Sequence, residues 1–331
     1  MQKRAVSLLS GGLDSVLATR LMVEQGVEVT ALHFTSPFCN CTHGKNKGCG
    51  IQALRSAKEL GVKVVVKAKG EEYLKILQSP QHGYGKNMNP CIDCRIFILR
   101  QAAQFMQEID AGFIITGEVL GQRPMSQRRD TIRVIERETR LEGLILRPLS
   151  AHHFPPTIPE KEGIIDRQKL LDFAGRSRKG QYMLADKYDI KEFSCPGGGC
   201  LLTDAAFAAK IRDLFKHTPE CTMHDATLLK TGRHFRLSEK TKIIVGRNEE
   251  ENKKLEILSL PGYLLLKPVS FIGPSALIAG DLNREVIDAS TNIMAMYAKR
   301  AVFPITVESG GSTSNRYVVD QISMDIEKMR I

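Results

Sequence analysis

The 331-residue sequence contains no tryptophan, and aromatic residues account for only 6% of it. Any stacking on a nucleobase therefore depends on Tyr, Phe or His side chains. No apolar run approaches the roughly 18 residues that a membrane-spanning helix needs. The first residues enter an apolar strand at once and show neither a longer apolar region nor a small-residue cleavage site, so we expect a cytoplasmic protein without a membrane partner.

Acidic residues are too few to balance the basic ones, since 37 Asp and Glu stand against 47 Lys and Arg, a net charge of +10. This excess predicts a polyanionic partner, with a generally basic solvated surface as the alternative. Hydrophobic residues at 42% and charged residues at 25% are typical of globular domains and exclude a disordered chain. The length predicts two or three domains.

Residues 1–150 alternate between apolar strands and helices at regular intervals. Strands are predicted at 5–9, 27–34, 62–66, 111–116 and 144–149. This order predicts an α/β domain with a doubly wound parallel sheet covered by helices on both faces. In such sheets ligands bind beyond the carboxyl ends of the strands.

The pattern changes after residue 150. Residues 151–225 read as a connector and extension, with a helical segment at 166–188 that is interrupted at Gly175 and Gly180. Residues 226–331 show short alternating runs and one helix near 284–300, which predicts a smaller α+β domain.

The first strand leads into Ser10-Gly11-Gly12-Leu13-Asp14-Ser15 and then into a helical pattern. Paired glycines let backbone amides approach an anion, and the helix start adds unpaired N–H donors. Two serines supply hydroxyls, and Asp14 can bind a magnesium ion. A Walker loop with its phosphate-binding lysine is absent from this stretch. An ordinary capped turn is the alternative.

The hexapeptide resembles the PP-loop of the ATP-pyrophosphatase superfamily. The resemblance implies an adenine nucleotide α-hydrolase-like fold, ATP and Mg²⁺ as ligands, and attack of a substrate oxygen on the α-phosphorus. Asp14 would be catalytic, and the ATP ligands would be Ser10, Gly11, Gly12, Leu13, Asp14 and Ser15.

A second motif follows the strand at 111–116. Three short segments resemble elements of the tRNA 4-thiouridine synthetase family: Gly117-Glu118-Val119-Leu120-Gly121-Gln122, Ser126-Gln127 and Leu146-Arg147-Pro148-Leu149. Gly117 and Glu118 would then line the nucleotide site. Val119 replaces a serine of the family, and an insertion shifts the Ser-Gln pair. The resemblance covers residues 4 to about 205. Five arginines after the motif would meet a phosphate backbone or form a solvated helix face: Arg123, Arg128, Arg129, Arg133 and Arg137.

Seven of the eight cysteines are clustered and Cys221 stands alone; in a reducing compartment such clustering favours metal or thiol chemistry over disulfides. Cys91 and Cys94 form a CxxC at a predicted helix start, where the thiol pKa is lowered. Together with Cys195 and Cys200, this spacing alone favours structural zinc, with an iron–sulfur cluster or a redox dithiol as alternatives.

Thiolating PP-loop enzymes reverse that preference, because several carry a CxxC and a third cysteine that hold a [4Fe-4S] cluster with one open iron. The resemblance implies Cys91, Cys94 and either Cys195 or Cys200 as ligands or sulfur carriers. If all four cysteines bound the cluster, no iron would be left open for sulfide. The loop after the second strand is expected to be either a second metal site or a loop with incidental thiols. Its ligand-type residues are Cys39, Cys41, His43 and Cys49.

The C-terminal domain also carries a recognisable pattern. Three short segments resemble the NFACT-type RNA-binding domain: Gly246-Arg247-Asn248 with Asn252, Gly273-Pro274-Ser275 and Ala295-Met296-Tyr297. Between Leu228 and Lys254 there are eight Lys or Arg against four Glu, which favours contact with a phosphate backbone. A basic accessory domain is the alternative.

These resemblances predict an ATP-dependent tRNA sulfurtransferase that adenylates a uridine carbonyl oxygen before sulfur displaces AMP. The partners would be tRNA and a sulfide or persulfide donor, and a homodimer is a candidate assembly. The alternatives are a PP-loop amidating or small-molecule ligase with structural zinc, and a nucleotide-bound RNA-binding or quality-control factor.

Overall fold

The computed structural model describes residues 2–39, 49–193, 200–310 and 315–331. The chain divides into two compact units, Met1–Thr203 and Asp204–Ile331. In the described ranges, no helix combines the length and the apolar character that crossing a bilayer requires.

The N-terminal unit contains a five-stranded sheet in the order β3-β2-β1-β4-β5, and every strand pair is parallel. The strands are β1 (Arg4–Leu8), β2 (Glu28–Thr35), β3 (Lys63–Ala68), β4 (Phe113–Ile115) and β5 (Ile145–Leu146). The helices are α1 (Leu13–Glu24), α2 (Cys49–Glu59), α3 (Glu71–Gln78), α4 (Cys91–Glu108), α5 (Arg129–Thr139), α6 (Ile158–Lys161) and α7 (Lys179–Lys187).

Helices cover both faces of this sheet, because alternate strand residues point to opposite sides. Ala5 of β1 packs in one core cluster with Leu17 of α1 and Ala185 of α7. Its neighbour Val6 packs in another cluster with Leu99 of α4. The predicted doubly wound parallel fold is therefore confirmed.

The strand order makes β1 and β4 neighbours although more than a hundred residues separate them. Ala5 pairs with Phe113 and Ser7 pairs with Ile115. The chain leaves β1 through α1 toward β2 on one side, while β4 lies on the other. This reversal creates a crevice at the carboxyl ends of β1 and β4, where open α/β sheets bind ligands.

The described residues 151–193 and 200–203 belong to the N-terminal unit, where Ile165, Leu170 and Ala185 are buried in the same cluster as Leu17. The division of the structure at residue 203 thus splits the segment 151–225. Within it, the helical segment expected at 166–188 is shorter. The structure has a 3₁₀ turn at Arg167–Lys169 and α7, because Gly175 between them has a φ of +79°.

The C-terminal unit is an antiparallel six-stranded sheet in the order β11-β10-β8-β9-β7-β6 with packed helices, so the predicted second α+β domain is also confirmed. Its strands are β6 (Arg233–Arg236), β7 (Lys242–Val245), β8 (Leu264–Pro268), β9 (Ala276–Ala279), β10 (Ile305–Ser309) and β11 (Arg316–Val319). Its helices are α8 (Ala205–His217), α9 (Met223–Leu228), α10 (Glu249–Ile257), α11 (Arg284–Met296) and α12 (Ile326–Met329).

Candidate active site

A cavity of about 350 Å³ opens at the carboxyl ends of β1, β2 and β4. Its volume is within the range of small-molecule sites. The described residues that line it include most of the hexapeptide, the residues after β4 and three thiols: Ser10, Gly12, Leu13, Asp14, Ser15, Gly117, Glu118, Cys39, Cys91 and Cys94. The structure therefore brings the separate sequence motifs to one place.

The hexapeptide forms a tight turn between β1 and α1. Gly11 has a φ of +77°, a conformation that glycine adopts without steric cost. The Ser15 hydroxyl donates a hydrogen bond to the Gly12 carbonyl at 2.8 Å, and it accepts one from the Ser10 amide at 3.2 Å. The Ser10 and Ser15 hydroxyls lie 3.1 Å apart. Two hydroxyls therefore lie together at the start of α1, and the N-terminus of a helix is a suitable place for an anion.

Gly117 lies directly against the first turn of α1. A Cβ atom on Gly117 would lie 2.5 Å from both the Asp14 carbonyl carbon and the Ser15 nitrogen. No side chain fits that space, because both neighbours are backbone atoms. A glycine is therefore needed for the end of β4 to approach the loop.

Glu118 is 3% exposed and bound by two arginines. Its Oε1 accepts from Arg95 Nε at 2.7 Å, and its Oε2 accepts from Arg147 Nε at 2.9 Å. Burial alone would raise the pKa of this carboxyl, but the two guanidinium groups outweigh it and lower the pKa to about 2. Glu118 is thus an ionised carboxylate that fixes two arginines, of which Arg95 lines the cavity.

Val119 is fully buried and packs in the apolar cluster under α1. It is absent from the described cavity lining. The replacement of the family's serine by valine therefore adds apolar packing and leaves the polar groups of the cavity unchanged.

The Asp14 carboxylate is held by Gln122 of the second motif and by Arg178, which sequence reasoning did not find. Gln122 Nε2 donates to its Oδ2 at 2.7 Å, and one Arg178 nitrogen lies 3.2 Å from both carboxylate oxygens. Gln181 donates to the Gln122 side chain at 3.0 Å and so supports it. A carboxylate is the ligand type that Mg²⁺ prefers, so Asp14 fits the predicted magnesium role.

The CxxC pair lies at the start of α4, and Cys94 has a cation beside it. Lys69 Nζ donates to Cys94 Sγ at 3.0 Å and stands 4.4 Å from the centre of the Tyr73 ring. Burial alone would raise the pKa of the Cys94 thiol, but Lys69, Tyr73 and Arg95 together outweigh burial and lower that pKa. Burial raises the pKa of Cys200 to about 11.

Cys39 and Cys200 are brought together by a backbone bridge between their two segments. The negative charges of Cys94 and Cys91 contribute to the raised pKa of Cys200, so these thiols share one neighbourhood. Thiol donors suit zinc or an iron–sulfur cluster. Among the described residues, however, no three His, Cys, Asp or Glu side chains already have the arrangement of a metal site. Cys195 lies outside the described residues.

The other predicted clusters are only partly described. Cys41 and His43 lie outside the described residues, and so does the side chain of Cys49, so the predicted second metal site stays a prediction. Of the five arginines, Arg123 lines the cavity and Arg129 is the first residue of α5.

Lys69 and Arg178 are the functional candidates that sequence reasoning missed. Lys69 directly follows β3, and its place after a strand end was a usable signal. Arg178 lies 164 residues from Asp14 along the chain, and no local pattern marks it.

The C-terminal unit shows how its sequence pattern is built. Arg247 forms an ion pair with Glu251, and Asn252 Oδ1 accepts a hydrogen bond from the Ser275 amide at 3.1 Å. A Cβ atom on Gly246 would lie 2.1 Å from that Asn252 oxygen. The Gly-Arg-Asn motif with its following asparagine therefore fixes the loop between β7 and α10.

The hexapeptide 10–15, called the anion loop below, follows the first strand of a parallel sheet. A glycine-containing loop at this place is typical of nucleotide-binding α/β proteins. Residues 1–166, half of the chain, match the family model described as "Thiamine biosynthesis protein (ThiI)", and the chain belongs to this family. Residues 232–328 match the model described as "NFACT protein RNA binding domain". Both matches agree with the resemblances in the sequence.

A curated relative is the "Probable tRNA sulfurtransferase" of Thermococcus kodakarensis, 28% identical over 170 residues, which are 51% of this chain and 41% of that protein. The chain thus spans less than half the length of this relative. Among solved structures, a 4-thiouridine synthetase–RNA complex with bound ATP has 24% identity and a TM-score of 0.36, with 68% of this chain and 53% of that chain covered. The U34-tRNA thiolase NcsA from Methanococcus maripaludis with its [4Fe-4S] cluster has 18% identity and a TM-score of 0.33, with 69% and 72% covered.

Proposed function

We propose that the chain is an ATP-dependent tRNA sulfurtransferase that makes thiouridine. The observation that carries the proposal is that the anion loop, the Gly117–Glu118 segment and the thiols of Cys91 and Cys94 line one cavity. Activation of a carbonyl and delivery of sulfur can then occur at one place. Membership of the ThiI family and the name of the sulfurtransferase relative support the same activity.

The loop would bind the phosphates of ATP through the hydroxyls of Ser10 and Ser15 and the backbone amides at the start of α1. Asp14 would hold Mg²⁺. The described cations that line the cavity are Lys69, Arg95, Arg123 and Arg178. Lys69 is bound to a thiol and Arg95 to Glu118. Arg178 is paired with Asp14 and would be released when Mg²⁺ takes that carboxylate. Arg123, together with the released Arg178, would therefore neutralise the triphosphate.

The reaction has two displacements. The uridine carbonyl oxygen attacks the α-phosphorus, the bond from that phosphorus to the bridging oxygen breaks, and pyrophosphate leaves. Sulfide then attacks the activated ring carbon, the carbon–oxygen bond breaks, and AMP leaves with the former carbonyl oxygen. With a persulfide carrier, the terminal sulfur makes the same attack and the carrier stays attached through its S–S bond. A second thiol then attacks the carrier sulfur, the S–S bond breaks, and thiouridine leaves as a disulfide forms.

Cys91 and Cys94, with Cys195 or Cys200, would hold a [4Fe-4S] cluster, and zinc is the competing metal. When bound, such a cluster with one open iron supplies a binding place for the incoming sulfide. The protein itself supplies the thiol ligands. Lys69 donates a hydrogen bond to Cys94, and burial together with the charges of Cys94 and Cys91 raises the pKa of Cys200.

The tRNA substrate would also be bound by the C-terminal unit. Residues 232–328 match an RNA-binding domain, and the segment 228–254 is strongly basic. Lysine and arginine contacts to phosphate supply sequence-independent affinity.

The test is an anaerobic reaction of the purified chain with tRNA, ATP and sulfide, followed by mass spectrometry of the nucleosides and measurement of AMP and pyrophosphate. The proposal expects thiouridine, with AMP formed only when tRNA is present. Asp14→Ala should abolish both, and Asp186→Ala, an exposed aspartate of α7, is the matched control. AMP formation without tRNA would favour a small-molecule ligase and contradict the proposal.

A separate analysis of the anaerobically purified protein tests the metal. We expect iron and labile sulfide that are lost in the Cys91→Ala and Cys94→Ala variants. Zinc without iron would contradict the cluster and leave the sulfurtransferase reaction to be judged by its own products.

A further inference from the structure

A second cavity, of about 250 Å³, lies beside α5 and the segment that follows β5. Its floor is apolar and includes Ile132, Ile145 and Leu146. Its described lining also contains four cations: Arg129, Arg133, Arg147 and Lys161. The motifs assigned above to ATP and sulfur do not use this cavity.

The acidic groups in this lining are already neutralised. Glu136 is bound by Arg147. Glu160 is bound by Arg167 and closes a capping box with Thr157 at the start of α6. Arg133 and Lys161, in contrast, form no ion pair with any described residue, and both are exposed. The cavity therefore carries uncompensated positive charge at its mouth.

Two of the arginines are fixed by an aromatic ring. Arg129 lies 5.6 Å and Arg147 5.3 Å from the centre of the Phe154 ring. Arg129 also donates to the His153 carbonyl at 2.7 Å. Arg147 is neutralised by Glu118 and Glu136, whereas Arg129 forms no ion pair with a described residue. The fixed guanidinium of Arg129 therefore adds positive charge to the cavity.

One ion pair separates the second cavity from the first. Arg147, which lines the second cavity, donates to Glu118, which lines the first, at 2.9 Å. The segment 123–129 runs alongside, with Arg123 in the first lining and Arg129 in the second. An anion in the second cavity is therefore a close neighbour of whatever occupies the nucleotide cavity.

We propose that the second cavity is a subsite for a backbone phosphate of the RNA substrate, with Arg133 and Lys161 as its phosphate ligands. This inference rests on the proposed function, because it takes tRNA as the substrate. A chain of regularly spaced phosphates can place one of them here while its target base enters the first cavity. The exposed Arg137 extends the positive surface along α5.

The experiment measures the affinity of the full chain for tRNA as a function of salt, for the wild type, Arg133→Gln, Lys161→Gln and the double variant. Loss of one phosphate contact lowers the slope of log K against log salt by about 1, so the double variant should lose about 2. Its dissociation constant near physiological salt should rise by about tenfold. Lys58→Gln, an exposed lysine of α2 outside this lining, is the matched control.

Three results would overturn the subsite. The double variant could keep the wild-type slope, or Lys58→Gln could reduce the slope as much as either variant does. Alternatively, the variants could lose binding of inorganic phosphate and keep their tRNA affinity, which would assign the cavity to a free anion. The proposed function fails differently, through a wild-type chain that makes no thiouridine in the anaerobic reaction. Thermal unfolding midpoints equal to that of the wild type show that the variants are folded.

Discussion

One nitrogen of the Arg178 guanidinium lies 3.2 Å from both carboxylate oxygens of Asp14. The Nε of the same guanidinium is buried and has no hydrogen-bond partner among the described residues. The contact joins the start of α7 to the anion loop and places a cation where the phosphates of ATP would arrive. When Mg²⁺ takes the carboxylate, as the proposed function requires, the guanidinium is released to bind phosphate oxygens.

This relationship predicts the effect of removing the guanidinium. Arg178→Gln should lower the rate of tRNA-dependent pyrophosphate release by about a hundredfold, the usual cost of losing one charge-stabilising donor in an active site. Lys179→Gln, the adjacent exposed lysine, should stay close to the wild type. A rate within twofold of the wild type for Arg178→Gln would contradict the role of Arg178.

The close packing around Gly117 predicts that a side chain at this position weakens ATP binding. A methyl group in Gly117→Ala would displace the backbone of Asp14 and Ser15, which lies 2.5 Å from the Cβ position. We expect ATP affinity, measured by calorimetry, to fall at least tenfold. Gly70→Ala is the matched control, because nothing lies within 4 Å of its Cβ position. Equal ATP affinity of the two variants would show that the loop tolerates the displacement.

The buried pair of Glu118 with Arg95 and Arg147 predicts a large effect on stability. Glu118→Gln leaves two arginines without their carboxylate and should lower the free energy of unfolding by about 3 kcal/mol in urea titrations. The exposed Glu142→Gln should change it little. The folded-state pKa of Glu118 is lowered to about 2, so its stabilising contribution is complete above the unfolded value of about 4.3. That contribution should be lost as the pH falls from about 4 toward 2, and a Glu118→Gln variant with unchanged acid stability would contradict the assignment.

The raised pKa of His82 predicts that the free energy of unfolding changes with pH near neutrality. Burial alone would lower the pKa of His82, but hydrogen bonds to Asp93 and Glu138 outweigh burial and raise it. A raised folded-state pKa means that the stabilisation is complete below the ordinary value of about 6.5 and is lost as the pH rises through the folded-state pKa. His82→Gln should remove this part of the pH dependence. An NMR titration that gives His82 a pKa at or below 6.5 would contradict it.

The sequence predicted those parts of the site that depend on local backbone geometry. Paired glycines after an apolar strand predicted the tight turn before α1. The close packing of Gly117 against the first turn of α1 was not predicted. Arg178 and Lys69 were not predicted as partners of Asp14 and Cys94, because these contacts depend on how sheet order and helix packing bring distant segments together.

The same distinction applies to the fold. The parallel sheet was predictable from apolar periodicity, whereas α10 was missed because its only buried apolar residue is Leu255. Its start carried a usable signal in Asn248, which accepts from the Glu251 amide at 3.0 Å and precedes three glutamates.

Thiolation of tRNA at this site is tested by mass spectrometry of tRNA nucleosides from a strain that lacks the gene. We expect one thiouridine to disappear, to return with the wild-type gene, and to stay absent with the Asp14→Ala gene. An unchanged profile of thiolated nucleosides in the deletion strain would contradict it.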